Sequence, residues 1–136
     1  FKGLTISTFG GNPVACVAAK ATIDLIEEER LMDNAHEMGN HFRQGLEGLK
    51  QKHPLIGDVR GMGLMQGIEL VKDRKTREPA PEATNAVMER ARAHGLLVGK
   101  GGLYANVIRM SPPLNIAKAD VDEAIRILDR SLAEGT

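Results

Sequence analysis

The hydrophobic pattern of this chain changes period once, and the change is sharp. From Leu31 to Leu49 the apolar residues Leu31, Ala35, Met38, Phe42, Leu46 and Leu49 recur three or four apart, the spacing of a single stripe along a helix. Asp33, Asn34, Glu37, Asn40, Arg43 and Glu47 fall on the opposite side. Pro54 follows closely and bars any extension, because a helix interior needs the amide that proline lacks. The stretch IGDVRGMGLMQGIELV, Ile56 to Val71, carries glycines and short apolar pairs instead. It reads as two strands around a glycine turn near Gly61 and Gly63. A one-sided helix that runs into a hairpin can bury its stripe by lying on the sheet that the hairpin begins.

The rest of the chain fits that frame. The first twelve residues are loop-like, and Asn12-Pro13 marks a helix start, with asparagine as cap and proline at the first helical position. Val14, Ala18, Ala21 and Leu25 carry this helix to about Glu29. The acidic run Glu27-Glu28-Glu29 lies where the helix dipole disfavours it, which predicts a solvated, fraying end. KDRKTREPAPE, Lys72 to Glu82, reads as an exposed loop. Glu82 to His94 is helical, with Ala83, Val87 and Ala91 inward and Gly95 as the stop. LLVGKGG gives a short strand and a glycine loop, and NVIRMSPPLNI gives another strand, ended by Pro112-Pro113. Asp120 to Leu132 closes the chain as an amphipathic helix, with Val121, Ala124, Ile125, Leu128 and Leu132 on one side. There is no internal repeat. The economical packing is a small, mostly antiparallel sheet with helices on one face, an α/β or α+β domain. The first helix then serves as its link to whatever precedes it.

Charge and cysteine usage narrow the function classes. Lys plus Arg and Asp plus Glu both number 18, with no basic block, which argues against a general nucleic-acid binder. No apolar run approaches the ~20 residues that span a bilayer, and nothing resembles a signal peptide, so no membrane partner is expected. Cys16 is the only cysteine, which leaves neither an intrachain disulfide nor a zinc cluster of cysteines. A reducing, cytoplasmic setting is the default. With 136 residues the chain fits one domain. It begins with Phe1 rather than Met, directly before a glycine-rich loop, and reads as a piece of a longer protein.

Two places have the makings of a site. In ISTFGGNPVAC, Ile6 to Cys16, Ser7 and Thr8 offer hydroxyls, Gly10 and Gly11 allow close approach, and the helix behind Pro13 points its positive end back at them. Unpaired amides and the helix dipole suit a phosphate or carboxylate there. The alternative is a plain glycine turn and cap, with Thr8 bonding local backbone. Arg109 sits among apolar neighbours on a strand just before Pro112-Pro113, and its planar fork suits bidentate pairing with a carboxylate or phosphate. The alternative is an internal ion pair with an acid such as Glu69.

Other motifs carry less. GMGLMQG runs from strand to strand with no helix after the glycines, so it is a hairpin or bulge rather than a nucleotide loop, and Met62 and Met65 are ordinary packing residues. His36, His41, His53 and His94 have no ligand spacing, and the helical ones belong on solvated surfaces. Cys16 reads as a small core residue. Lys100 is the one lysine to inspect for covalent chemistry, but between glycines it is expected to be exposed. The residues alone give an anion cradle and a candidate carboxylate clamp, with no evident catalyst and no metal ligands.

Four stretches in order, STFGGNPVAC, IGDVRGMGLMQGIELV, GLLVGKGG, and NVIRMSPPLNI with the helix after it, resemble the C-terminal part of class III pyridoxal-phosphate aminotransferases of the ornithine and 4-aminobutyrate type. The likeness runs over essentially the whole chain, and the first two stretches are especially similar to the alanine–glyoxylate aminotransferase type. The resemblance implies the C-terminal domain of a fold-type I enzyme, which transfers an amino group from an amino acid to a 2-oxo acid or aldehyde. It implies a homodimer or tetramer with sites at the subunit interface. Thr8 would reach the cofactor phosphate of the neighbouring subunit, with Ser7 beside it, and Arg109 would bind the substrate α-carboxylate. Residues 1–12 would form the cofactor-phosphate loop, 13–30 a linking helix and 31–136 the small C-terminal domain. The family's Schiff-base lysine, its pyridine-nitrogen aspartate and its ring-stacking aromatic belong to a large domain absent here. The segment alone is therefore expected to be inactive. A non-catalytic anion-binding module and a dimerisation module remain the alternatives.

Overall fold

The computed structural model describes residues 7–134, so Phe1, and Ile6 at the head of the glycine loop, lie outside the described residues. The chain divides into two compact units with the boundary between Met32 and Asp33. In the first, helix α1 spans Pro13–Glu28 and is capped as its sequence predicts: Asn12 Oδ1 accepts from the Val14 and Ala15 amides at 2.9 and 3.2 Å. None of the residues of α1 is buried. Cys16 is therefore exposed, which corrects its reading as a core residue.

The second unit holds the sheet and its helices. Helix α2, Leu31–Lys52, begins at the unit boundary and ends in Lys50 and Lys52, cations placed favourably at a helix C-terminus. The hairpin β1 (Ile56–Met62) and β2 (Met65–Asp73) follows. Then come β3 (Glu78–Pro79), α3 (Pro81–Ala93), β4 (Gly99–Gly101), β5 (Val107–Met110) and α4 (Lys118–Ala133). The sheet runs β1-β2-β5-β4 with β3 paired to β2, and every pairing is antiparallel. The short β3 lies inside the charged stretch expected to be loop. There Val71 and Asp73 of β2 pair with Pro79 and Glu78.

The stop of α3 shows why a glycine stands at 95. With Gly95 at φ +92°, the Leu96 amide reaches the Ala91 carbonyl at 2.8 Å and the Gly95 amide reaches that of Arg92 at 3.0 Å. This doubled closure satisfies carbonyls that the helix end would otherwise strand.

The core lies between the three helices and one face of the sheet. Phe42, Leu46 and Leu49 of α2, Val87 of α3, and Val121, Leu128 and Leu132 of α4 pack with Val59, Ile68, Leu70, Ile108 and Met110. Residues that alternate with these strand positions, Asp58, Arg60, Gly67, Glu69 and Arg109, fall on the other, helix-free face. Helices on one face of a small antiparallel sheet is thus the architecture, as the period change requires. At the hairpin tip Met62 and Met65 are 85% and 65% exposed, so they are not packing residues.

Helix α4 is also fastened by acids. Asp122 meets Lys118 and His41, Asp129 meets Lys52 and His53, and Glu134 meets Arg130 and His94. His53, just past α2, is 6% exposed, and its Nε2 lies 2.5 Å from Asp129 Oδ1. Its burial could not be read from a sequence in which its partner is 76 positions away. The Lys52 ammonium and then His53 hold the Asp129 carboxyl below its ordinary value. A carboxyl whose pKa is depressed by folding stabilises the fold above its unfolded pKa, about 3.9, and loses that contribution as pH falls through the folded value. Urea midpoints are therefore expected to fall as pH drops below about 4, and Asp129→Asn should flatten that slope. A variant with an unchanged slope would exclude Asp129 from the acid response.

Candidate functional site

The two regions singled out by sequence lie in different units, and each stands by itself. In the glycine loop, turns close from the Gly10 amide to the Ser7 carbonyl at 3.3 Å and from the Asn12 amide to the Phe9 carbonyl at 3.2 Å. Gly11 adopts φ +76°. The first-turn amides of α1 are already taken, those of Val14 and Ala15 by the Asn12 side chain and that of Cys16 by the Asn12 carbonyl. The helix end therefore offers its dipole but no free amide in that turn. What remains open is the loop itself. Ser7, Thr8 and Phe9 are exposed, and the Thr8 hydroxyl has no partner among the described residues. A free hydroxyl in a turn before a helix N-terminus fits a phosphate, which accepts hydrogen bonds and is favoured by the dipole.

Arg109 is the centre of the second region. It lies third in β5, between the buried Ile108 and Met110, with its side chain exposed on the helix-free face. The register sets Gly67 of β2 against one side of it and Gly99 of β4 against the other. A cross-strand neighbour with a side chain would share that space; glycines leave it clear. The guanidinium leans over Gly99: a Cβ there would stand 3.6 Å from both Nε and Nη2 of Arg109. A cavity of about 350 Å³ is lined at this end of β5 by Arg109 and Asp120 with the apolar Phe42, Val98, Met110 and Ile116. Arg109 has no acid partner among the described residues.

The expected competitor is engaged elsewhere. Glu69 Oε2 lies 2.7 Å from Arg60 Nη2, while Arg60 Nη1 lies 2.8 Å from Asp58 Oδ2. The hydrogen bond from Arg60 holds the Asp58 carboxyl below its ordinary value against the opposing effect of burial. Asp58 and then Glu69 raise the pKa of Arg60. Neither Asp58 nor Arg60 was singled out from sequence. Their signal was the i, i+2 spacing in DVRG, which puts both on one strand face opposite Glu69.

Lys100 is exposed, as expected, with Nζ 3.0 Å from Asn85 Oδ1 of α3. It pairs in register with Ile108, not Arg109, so it belongs to the helix side of the sheet. Among the described residues no group of histidines, cysteines or acids could hold a metal ion, and no helix is long and apolar enough to cross a membrane.

A profile of the family described as aminotransferase class-III matches residues 2–132. Over 128 residues the chain is 44% identical to the alanine–glyoxylate aminotransferase 2 homolog 2, mitochondrial, of Arabidopsis thaliana, with 94% of this chain and 27% of that protein covered. It is 45% identical over 131 residues to the taurine–pyruvate aminotransferase of Bilophila wadsworthia, with 93% and 29% covered. An amine transaminase from an uncultivated Pseudomonas species, solved in its PLP-bound form, superposes with a TM-score of 0.88 at 32% identity, with 98% of this chain and 30% of that one covered. The chain thus spans less than a third of the length of each.

Proposed function

Because the chain belongs to the class-III aminotransferase family, we propose that it is the substrate-clamping, cofactor-anchoring part of a pyridoxal-phosphate aminotransferase that moves an amino group from an amino acid to a 2-oxo acid or aldehyde. The observation that carries this reading is the Arg109 guanidinium, exposed between two glycines and without an acid partner among the described residues, with Glu69 held by Arg60. The arrangement is made to receive an anion from outside the chain. A carboxylate meets the guanidinium fork with two parallel hydrogen bonds, which fixes the orientation of the rest of the molecule as well as its affinity. The curated relatives named above act on alanine or taurine, whose carboxylate or sulfonate such a fork would bind.

When bound, pyridoxal phosphate supplies the electron sink of the reaction. The Thr8 hydroxyl donates to a phosphate oxygen of that group, Ser7 stands beside it, and the dipole of α1 favours the charge. In this reading the phosphate belongs to the site of a second subunit, so the working enzyme is at least a homodimer. This chain's share is binding and orientation. Lys100, bonded to Asn85 on the helix side of the sheet, is not the covalent lysine, which the rest of the enzyme provides. Residues 1–12 act as the phosphate loop, 13–30 as the link and 31–136 as the clamp domain.

Thr8→Ala tests the cofactor side. In the enzyme that carries this chain, assayed with L-alanine and glyoxylate, the variant should lose pyridoxal phosphate on dialysis about three- to tenfold more readily, the weight of one ordinary exposed hydrogen bond. In mixed dimers of wild-type and Thr8→Ala subunits, only the site that meets the intact threonine should keep its cofactor. Retention at the other site would contradict the contact between subunits. Absence of transfer from L-alanine to any 2-oxo acid or aldehyde would overturn the functional reading itself.

A further inference from the structure

The helix-free face of the sheet holds one acid with two arginines in reach. Asp58 and Glu69 stand directly opposite in the β1–β2 register, where like charges repel. Arg60, in the next row opposite Gly67, bridges the two at 2.8 and 2.7 Å. On the other side of β2, Glu69 faces Val107 while Gly67 faces Arg109. Glu69 and Arg109 are therefore diagonal neighbours on one face, a separation that long side chains span. Gly67, between Arg60 and Arg109 in the same row, interposes no side chain. Glu69 turns towards β1 and Arg109 towards Gly99 of β4. The two groups that could neutralise each other are thus drawn apart.

We propose that Arg60 is a positioning residue that holds Glu69 off Arg109 and so keeps the Arg109 guanidinium open to a substrate carboxylate. The proposal rests on the clamp reading of Arg109. Take Arg60 away, and Asp58 repels Glu69 across the β1–β2 rung while Arg109 attracts it across the β2–β5 diagonal. Lys50, Arg74 and Arg77 line the same pocket as Asp58, Arg60 and Glu69, and two of these cations are already engaged. Arg74 donates to the carbonyls of Ile56, His53 and Lys50, and Lys50 acts on the Asp58 charge. Glu69 closing on Arg109 would compete directly with the substrate carboxylate, and such competition raises KM and leaves kcat alone.

The test uses the whole enzyme, with L-alanine as the carboxylate-bearing donor and isopropylamine as a donor without one. Arg60 is half exposed, so Arg60→Gln leaves the core untouched. It should raise KM for L-alanine about three- to fivefold, the weight of a part-exposed ion pair, with kcat unchanged. KM for isopropylamine should not move. Adding Glu69→Gln to Arg60→Gln removes the competing acid and should restore the L-alanine KM. An unchanged KM in Arg60→Gln, or a rise that Glu69→Gln does not reverse, would overturn the proposal. Arg109→Ala separates the two levels. If it too leaves KM for L-alanine unmoved, the clamp reading falls; if it raises that KM while Arg60→Gln does not, the positioning role alone falls.

Discussion

Arg109→Ala, in the enzyme that carries this chain, is expected to weaken carboxylate-bearing substrates by about 1.5–3 kcal/mol, the range for a hydrogen bond to a charged group. That is roughly ten- to over a hundredfold in affinity. The guanidinium is exposed in this chain, which favours the lower end unless the rest of the enzyme covers it. The direction rests on geometry. Two glycines flank Arg109, Glu69 is paired with Arg60, and among the described residues the Arg109 side chain has no partner to lose. The effect should fall on KM for L-alanine and spare both isopropylamine and cofactor retention. Arg109→Lys should recover part of the loss, since an ammonium keeps the charge and forfeits the fork. Equal losses for donors with and without a carboxylate would show that Arg109 supports the fold rather than the substrate.

Two glycines of α2 are expected to answer the same substitution with opposite signs. A Cβ on Gly39 would stand 2.3 Å from the Gly63 carbonyl carbon and 2.4 Å from its oxygen. The obstacle is backbone in a turn held at φ +51°, so no rotamer change relieves it and the helix must lift from the hairpin. Gly39→Ala should therefore destabilise the domain by about 1–3 kcal/mol, the usual cost of overpacking, even after the gain in helix propensity. Gly48 has nothing within 4 Å of its Cβ position. There Gly48→Ala should stabilise by about 0.8–1 kcal/mol, the propensity difference alone. Urea unfolding of both variants reads the contrast. Stabilisation by Gly39→Ala would mean that α2 does not rest on the Gly63 turn.

The contrast also shows where sequence reading reached its limit. The stripe from Leu31 to Leu49 is visible because hydrophobicity repeats with the helical period, and the structure buries Phe42, Leu46 and Leu49 from it. Gly39 is buried on the same helix, yet glycine has no hydrophobic signature, and its reason is a turn that arrives from residue 63. Met62 and Met65 show the reverse. They look like core by type, but only the turn backbone between them meets α2, and their own side chains are left exposed. Cys16 fails for a similar reason, because α1 carries apolar residues but buries none of them.

The sequence by itself determined the order of the elements apart from β3, the cap at Asn12, the glycine stop at 95, the packing of helices on one face of the sheet, and, through four ordered motifs, the family. These are local signals: a period, a cap or a turn acts over a few residues and can be read there. It named Arg109 and Thr8 but left each between two readings. Only the tertiary structure decided that Glu69 goes to Arg60 and that Arg109 has no acid partner among the described residues. That choice depends on cross-strand register, which sets Asp58, Arg60, Gly67, Glu69 and Arg109 in adjoining rows of three strands. Register is fixed by the packing of the whole sheet on its helices, and no single stretch of the chain contains it.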